Sequence, residues 1–173
     1  ADSISFRRPL DQVLDRVTKF GGQPFWIEQP QWPISRSLGE QMKFIGQVAI
    51  YPEIFGQLPT RMAYIFMTDL ESKVVPAWDP EAGENAVIIQ SGGKPNVETR
   101  PLATGPTLYE FVEVPGQEFL QPRPCEYMVD VSRRSDPDFQ IEANRQGMPD
   151  AEFEKYSKAA EGNKIGGSPA FLQ

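Results

Sequence analysis

The sequence predicts an α+β protein, mainly β, with a mixed or antiparallel sheet of pseudo-duplicated or partial-barrel architecture. Three observations indicate this class. Apolar and polar residues alternate in several short runs, Gly and Pro separate these runs, and a Lys-hydrophobic-Gly-Gly-x-Pro motif stands near each end of the chain. Because 173 residues suit one hydrophobic core, we predict a single domain over residues 1–173.

The first predicted element is a short amphipathic helix near the N-terminus. Leu10, Val13, Leu14 and Val17 fall on one helical stripe. The helix has to end by Phe20, because a Gly-Gly pair and a proline follow. The aromatic stretch after it, with Trp32 beside prolines, is predicted to cover the edge of a core rather than to bind a ligand.

Five strands are predicted in the centre and second half of the chain. In residues 41–50, Met42, Phe44, Gly46, Val48 and Ile50 form one side of a half-buried strand, with Gly46 as a bulge. The nearly continuous apolar run that follows is predicted to be buried on both faces and to pair with this strand. The five predicted strands are residues 41–50, 62–67, 86–90, 108–114 and 127–131.

A polar helix is predicted near the C-terminus, over residues 149–161. Pro149 suits a helix start, Asp150 and Glu152 suit its first turn, and Gly162 suits its end.

The residue types that are missing argue against catalysis. The chain has no histidine and one cysteine, Cys125, so it lacks the usual general base and the usual transition-metal ligands and cannot form an intrachain disulfide. We therefore predict no enzyme, no cofactor and no metal site. With no long apolar run and a polar segment at residues 1–8, we expect a cytoplasmic protein without membrane insertion.

The charge of the chain is concentrated in its middle. The net charge is −7, and residues 66–126 hold ten acidic and four basic residues. Such a field repels nucleic acid and favours a basic partner, although solubility alone would also explain it. The candidate partner-binding residues are Asp69, Glu71, Trp78, Asp79, Glu81, Glu84, Glu98, Glu110, Glu113 and Glu118.

Trp78 has two interpretations at this stage. It could anchor an interface, since such anchors are commonly Trp, Tyr or Arg. The prolines on either side of it favour the other interpretation, in which it covers the core.

The glycine motif is predicted to be a structural turn. Lys19 to Pro24 matches Lys164 to Pro169, and a shorter Gly-Gly-x-Pro copy runs from Gly92 to Pro95. A phosphate-binding loop needs a helix directly after the glycines and further residues at fixed spacing, which these copies lack. The proline instead favours an extended segment after the turn.

With the motif, Trp32-Pro33, the run 44–48, Leu58-Pro59 and the run 163–169 in the same order, the chain resembles the YwqG-like family of bacterial proteins of unknown function. The resemblance implies a mainly β fold with a pseudo-duplicated sheet. Family members usually continue past the position of Gln173, so the resemblance also implies that the C-terminal part of the family pattern is missing here.

Some members of this family look like immunity proteins that bind and neutralise secreted antibacterial toxins. The resemblance therefore implies an antitoxin-like protein that occludes a cognate, basic toxin, for which a nuclease is one candidate. Two alternatives stay open. One is a small-molecule-binding or enzymatic domain built on Asp69, Glu71, Asp79 and Glu81, and the other is a module that adds a partner strand to an open sheet edge.

Overall fold

The computed structural model describes residues 2–56, 61–69 and 75–168. The α+β, mainly β class is confirmed, and the strand pairs of known register are antiparallel. The strands are β1 (Asp2–Arg7), β2 (Lys19–Gly21), β3 (Trp32–Pro33), β4 (Lys43–Ile50), β5 (Arg61–Met67), β6 (Asn85–Gln90), β7 (Thr99–Arg100), β8 (Tyr109–Val112), β9 (Gln121–Pro124), β10 (Glu126–Arg133) and β11 (Lys164–Ile165). The helices are α1 (Pro52–Phe55), α2 (Glu142–Gln146) and α3 (Asp150–Ala160).

The chain divides into two compact units. The larger unit is residues 8–128, and the smaller one comprises residues 1–7 and 129–173. In the larger unit the main sheet has the strand order β10-β2-β4-β5-β6, while β3-β7 and β8-β9 form separate two-stranded sheets. In the smaller unit the order is β11-β1-β10, since β10 contributes residues to both units. A single domain over the whole chain stays a prediction.

The hydrophobic core of the larger unit lies on one face of its main sheet. Trp32 was expected to cover this core, and it is fully buried, with its indole N–H donating to the carbonyl of Met42 at 2.8 Å. Trp26 packs beside it, with its ring centroid 4.5 Å from that of Tyr64. The buried cluster consists of Trp32, Met42, Phe44, Ala49, Met62, Tyr64, Phe66, Ala86 and Ile88.

A β-bulge divides β4 into two halves of opposite phase. The pairing with β5 shifts between Phe44 and Gly46, so Ile45 is the extra residue. Phe44 is therefore buried as predicted, but beyond the bulge Gln47 and Ala49 face the core. The placement of Val48 and Ile50 on the core side was wrong, because one extra residue exchanges the two faces of a strand.

The neighbouring strand β5 alternates instead of being buried on both faces. Met62, Tyr64 and Phe66 are buried, whereas the residues between them are half-exposed. The predicted pairing with β4 is confirmed. The strand predicted at residues 108–114 is shorter, because β8 ends at Val112.

The predicted N-terminal helix is absent from the described residues. Residues 9–17 form an irregular loop in which Val13 is buried and Leu10 and Leu14 are exposed. The backbone groups of the loop bond to side chains elsewhere: the amide of Val13 donates to Glu126 at 3.1 Å, and its carbonyl accepts from Lys19 at 2.6 Å. These tertiary hydrogen bonds replace a helical ladder, so the apolar periodicity was misleading here.

The polar C-terminal helix is confirmed as α3. Pro149 precedes its first turn, Asp150 and Glu152 lie in that turn, and Ala160 is its buried residue. The short helix α2 and the N-terminal strand β1 were not predicted.

The two outer copies of the glycine motif have the same local structure. Each begins with a short strand, β2 or β11, and then places two glycines in the left-handed region, with φ of +71° and +64° at Gly21 and Gly22. Gly166 and Gly167 have φ of +72° and +77°. A Cβ on Gly21 would lie 2.0 Å from the carbonyl oxygen of Cys125, so this turn requires glycine. The motif is thus a turn, as predicted, and the duplication of a sheet stays a prediction.

Candidate functional site

The predicted partner-binding residues fall into different environments, and Glu84 is not on the surface. Its side chain is 0% exposed and accepts hydrogen bonds from Ser35 Oγ and Thr68 Oγ1 at 2.6 Å each and from the amide of Ser37 at 2.9 Å. Burial alone raises the pKa of Glu84, but these three hydrogen bonds outweigh it and lower the pKa to about 2. Glu84 is a structural carboxylate, and its prediction as an exposed acid was wrong.

Two further predicted acids are engaged within the protein. The carboxylate of Asp69 lies 3.1 Å from Lys43 Nζ. Glu98 forms a wider, exposed contact of 3.8 Å with Arg100. Ion pairs of this exposed kind are weak, so Glu98 can exchange its partner at little cost. Glu71 lies outside the described residues.

Glu110 is held between two arginines at the start of the β8–β9 hairpin. Arg123 donates to Oε1 at 2.8 Å and Arg8 at 3.1 Å, and Arg8 also contacts Oε2. The hydrogen bond from Arg123, followed by that from Arg8, lowers the pKa of Glu110 to about 2. These residues line an open cavity of about 750 Å³, together with Thr107, whose buried hydroxyl oxygen has no hydrogen-bond partner among the residues that the structure describes. Because Arg8 and Arg123 neutralise its negative charge, Glu110 is a poor candidate for attracting a basic partner.

Trp78 is on the surface, so the prediction that it covers the core was wrong. Its side chain is 96% exposed. The loop that carries it is fixed to the sheet, since Asn85 at the start of β6 donates a side-chain hydrogen bond to the carbonyl of Ala77. Asp79 and Glu81 follow as exposed acids, with the amide of Glu81 donating to Asp79 Oδ1 at 2.8 Å. The indole of Trp78 and the carboxylates of Asp79 and Glu81 are therefore all accessible to solvent on one loop.

The indole of Trp78 borders an apolar groove on the face of the sheet opposite the core. The groove has a volume of about 670 Å³. Ile65, Met67 and Val87, from the adjacent strands β5 and β6, line its floor. Val87 is 53% exposed, although it lies in the middle of a strand. We call Trp78, Asp79, Glu81 and this groove the Trp78 surface.

The hairpin formed by β8 and β9 presents a second exposed apolar group. Phe119, which is 75% exposed, stands next to Leu120 at its tip. Glu113 and Glu118, both predicted as partner-binding acids, are exposed on the same connection. Four of the predicted acids thus lie beside two exposed apolar groups instead of forming one continuous acidic patch: Asp79 and Glu81 beside Trp78, and Glu113 and Glu118 beside Phe119.

The carboxylates of the enzymatic alternative do not converge where the structure describes them. Asp69 is paired with Lys43, and Asp79 accepts the hydrogen bond within its own turn. Across residues 2–56, 61–69 and 75–168, no three acidic or cysteine side chains are arranged to hold a metal ion. This alternative therefore stays a prediction without a site.

The buried lysines of the glycine motifs were missed as structural residues. Lys19 is 0% exposed and its Nζ lies 2.6 Å from Glu126 Oε1, while Lys164 Nζ lies 2.8 Å from Asp136 Oδ1. The hydrogen bond from Lys164 lowers the pKa of Asp136 to about 2. The signal was present in the sequence, because both outer motif copies begin with lysine, but its carboxylate partner is distant along the chain.

The strand pairing defines a mainly β protein of the α+β class, and its surface carries an exposed tryptophan beside an apolar groove. The chain belongs to the family of the domain of unknown function DUF1963, whose family model matches residues 18–173. No curated protein and no solved structure matched the chain. None of the helices in the described ranges has the length and apolar character needed to cross a bilayer.

Proposed function

We propose that this protein is an immunity protein. It binds a basic toxin and blocks the toxin's active site by occlusion, without catalysing a reaction. The observation that carries the proposal is the Trp78 surface. The resemblance to YwqG-like proteins, some of which look like immunity proteins, supplies the biological setting. A cytoplasmic site of action follows from that setting and agrees with Cys125 being a buried free thiol.

The energetic argument begins with the indole of Trp78. A large aromatic side chain that is 96% exposed gains little from the folded protein, but it can bury most of its area against a partner. Truncation of a hot-spot residue of this type typically weakens binding by about 2 kcal/mol or more. The accessible apolar floor beside it offers a partner side chain a place to pack.

The electrostatic argument concerns the kind of partner. Asp79 and Glu81 are exposed next to Trp78, within the segment that holds most of the negative charge. Carboxylates can occupy a basic cleft in place of substrate phosphates, which favours a nuclease among toxins. The acids Glu113 and Glu118 at the hairpin tip extend the same charge preference to a second contact region.

The test is binding to the product of the gene next to the one that encodes this chain, which the proposal expects to be a basic toxin. We expect a stable complex, loss of toxin activity in the complex, and protection of cells that produce the toxin. Trp78→Ser is expected to raise the Kd by roughly thirtyfold, which corresponds to about 2 kcal/mol. Isothermal titration calorimetry measures the change.

Leu10→Ser is the matched control, since Leu10 is a fully exposed apolar residue of the same unit and lies outside the Trp78 surface. It is expected to change the Kd by less than about twofold. If the neighbouring product does not bind and cells are not protected, the proposed function is wrong. If the two substitutions change the Kd equally, the interface does not lie at Trp78.

A further inference from the structure

The strand β6 is the last strand of the main sheet in the larger unit, and its own sequence and pairing lack the charge, proline and bulge that usually protect such an edge. Its six residues pair with β5 in an uninterrupted register. Its sequence, Asn-Ala-Val-Ile-Ile-Gln, has no charge and no proline. Natural edge strands are usually very short, bulged, or marked by Lys or Pro. The edge strand of the smaller unit, β11, follows that rule with only two residues, one of them lysine.

The outward hydrogen-bonding groups of β6 can be assigned from its pairing. The amide of Thr68 donates to the carbonyl of Glu84 at 2.9 Å, which makes these two residues a hydrogen-bonded antiparallel pair. Because such pairs alternate along a ladder, Ala86 and Ile88 bond to β5. Asn85, Val87 and Ile89 therefore direct their amides and carbonyls away from the sheet.

Little of the described chain satisfies this outward edge. Outside the ladder with β5, the backbone of β6 has one backbone hydrogen bond in the described ranges, from the amide of Gly93 to the carbonyl of Ile89 at 3.0 Å. The side chain of Val87, which points to the groove face, is 53% exposed, so the groove face is uncovered at the middle of the strand. A partner strand could form its central hydrogen bonds at Val87.

The Trp78 surface adjoins the same strand. Asn85 holds the carbonyl of Ala77 at the start of β6, and Val87 and Trp78 line one groove. A strand placed along β6 would continue the sheet, and its side chains on the groove face would meet Val87 and the indole of Trp78. Main-chain pairing and an aromatic anchor are thus available in one place.

We propose that the partner binds by adding a β-strand to the open edge of β6, with Trp78 packing over the added strand. The occupant is a strand of a basic protein. Asp79 and Glu81 are exposed beside the groove, against one base, Lys94, in its lining. A second copy of this chain would bring the same acids and a further net charge of −7, so charge complementarity favours the basic partner. This inference rests on the proposed function and specifies its binding mode.

The test compares two substitutions at Val87 in their binding to the product of the neighbouring gene. Val87→Pro removes an outward amide without removing a bond to β5, and proline is tolerated at such edge positions. Val87→Thr keeps the amide and the β-branched shape. We expect Val87→Pro to raise the Kd at least about tenfold and Val87→Thr to leave it within about threefold.

Hydrogen exchange of the unmodified protein gives the second readout. On complex formation the amide of Val87 is expected to become protected at least about tenfold, while that of Ile88, already bonded to β5, changes little. If the toxin binds but Val87→Pro binds as well as the unmodified chain and the Val87 amide stays unprotected, strand addition is wrong and the proposed function stands. If light scattering shows the isolated chain to be a dimer that Val87→Pro dissociates, β6 serves self-association and the inference is overturned. If the toxin does not bind at all, both proposals fail together.

Discussion

Glu84 joins three separate stretches of the larger unit at one buried carboxylate. Its oxygens accept hydrogen bonds from Ser35, Ser37 and Thr68, of which Thr68 directly follows β5 and the two serines follow β3. Hydrogen bonds to a charged group are worth more than neutral ones, and a lost partner leaves buried donors unsatisfied. This carboxylate therefore stabilises the packing around the start of β6.

We expect Glu84→Gln to lower the free energy of unfolding by about 2–4 kcal/mol near neutral pH. The pKa of Glu84 in the folded protein, about 2, is below its ordinary value of 4.5. Its stabilising effect is consequently complete above the ordinary pKa and is lost as the pH falls towards 2. Urea unfolding at about pH 6 and about pH 3 should show the difference between the two proteins becoming smaller at the lower pH.

Glu81→Gln is the control for this substitution, because Glu81 is exposed. It is expected to change stability by less than about 0.5 kcal/mol. A difference between Glu84→Gln and the unmodified protein that is the same at both pH values would contradict the role assigned to the Glu84 charge.

Single residues were the hardest features to predict. Glu84 and Glu81 both lie in an acidic loop before a strand, yet one is buried and the other exposed. The difference is produced by Ser35 and Thr68, which are distant along the chain. The local pattern around Trp78 was equally ambiguous, because a proline-flanked tryptophan suits either a core edge or an interface.

The bulge in β4 decides which residues of that strand form the core. Phe44 lies before it and Ala49 after it, and both are buried although they are an odd number of positions apart. The extra residue, Ile45, projects toward the Trp78 groove, whose lining it joins. One irregular position therefore shapes both the core and the candidate surface.

Deletion of Ile45 tests whether this residue is the bulge that sets the phase of β4, and deletion of Val48, a paired residue, is the comparison. Without Ile45, the pairs on either side of the bulge keep their partners in β5 and the ladder becomes regular. Without Val48, part of the strand changes face and exchanges core and surface residues. We expect a cooperative unfolding transition for the first variant, and a loss of more than about 3 kcal/mol or no folding for the second. Thermal unfolding followed by circular dichroism distinguishes the two, and equal stability would contradict the assigned register.

Elements with strong local signals were predicted well. Helix α3 was found because its first turn and its end have suitable residues in sequence, and β5 and β6 were found from their apolar runs. The helix prediction for residues 9–17 failed because the backbone of Val13 forms hydrogen bonds with the side chains of Glu126 and Lys19. Local periodicity carries no information about such distant partners. The short strands β3, β7 and β11 depend on distant partners in the same way.

The net charge of the molecule lies mostly in the segment that contains the proposed binding surface. A net charge of −7, with ten acids and four bases in residues 66–126, produces a long-range attraction for a basic protein. We expect the association rate constant with the toxin-like partner to fall by about tenfold or more between about 50 and about 500 mM salt. Stopped-flow fluorescence measures this rate.

Trp78→Ser separates the two contributions, because a contact made after docking acts mainly on dissociation. The variant should retain the salt dependence of association while dissociating faster. An association rate constant that does not change with salt concentration would contradict the proposal that electrostatic attraction selects a basic partner.

The fold class was predictable from alternation and turn residues, but the division into two units was not. Residues 1–7 were regarded only as polar, whereas β1 pairs with β11 near the other end of the chain. The repetition of the glycine motif in both units hinted at this arrangement without giving its register. Long-range pairing is therefore the part of the architecture that the local pattern could not supply.

The open edge of β6 also has a consequence for handling and for evolution. A strand edge that is open to a partner strand can also pair with other strands, including those of partly unfolded chains in the cell or in a concentrated solution. Repulsion between molecules that each carry a net charge of −7 opposes this self-association, while the same charge attracts a basic partner. On the proposed function, the negative charge both opposes self-association through the edge and attracts the basic partner, so selection for one of these effects would maintain the other.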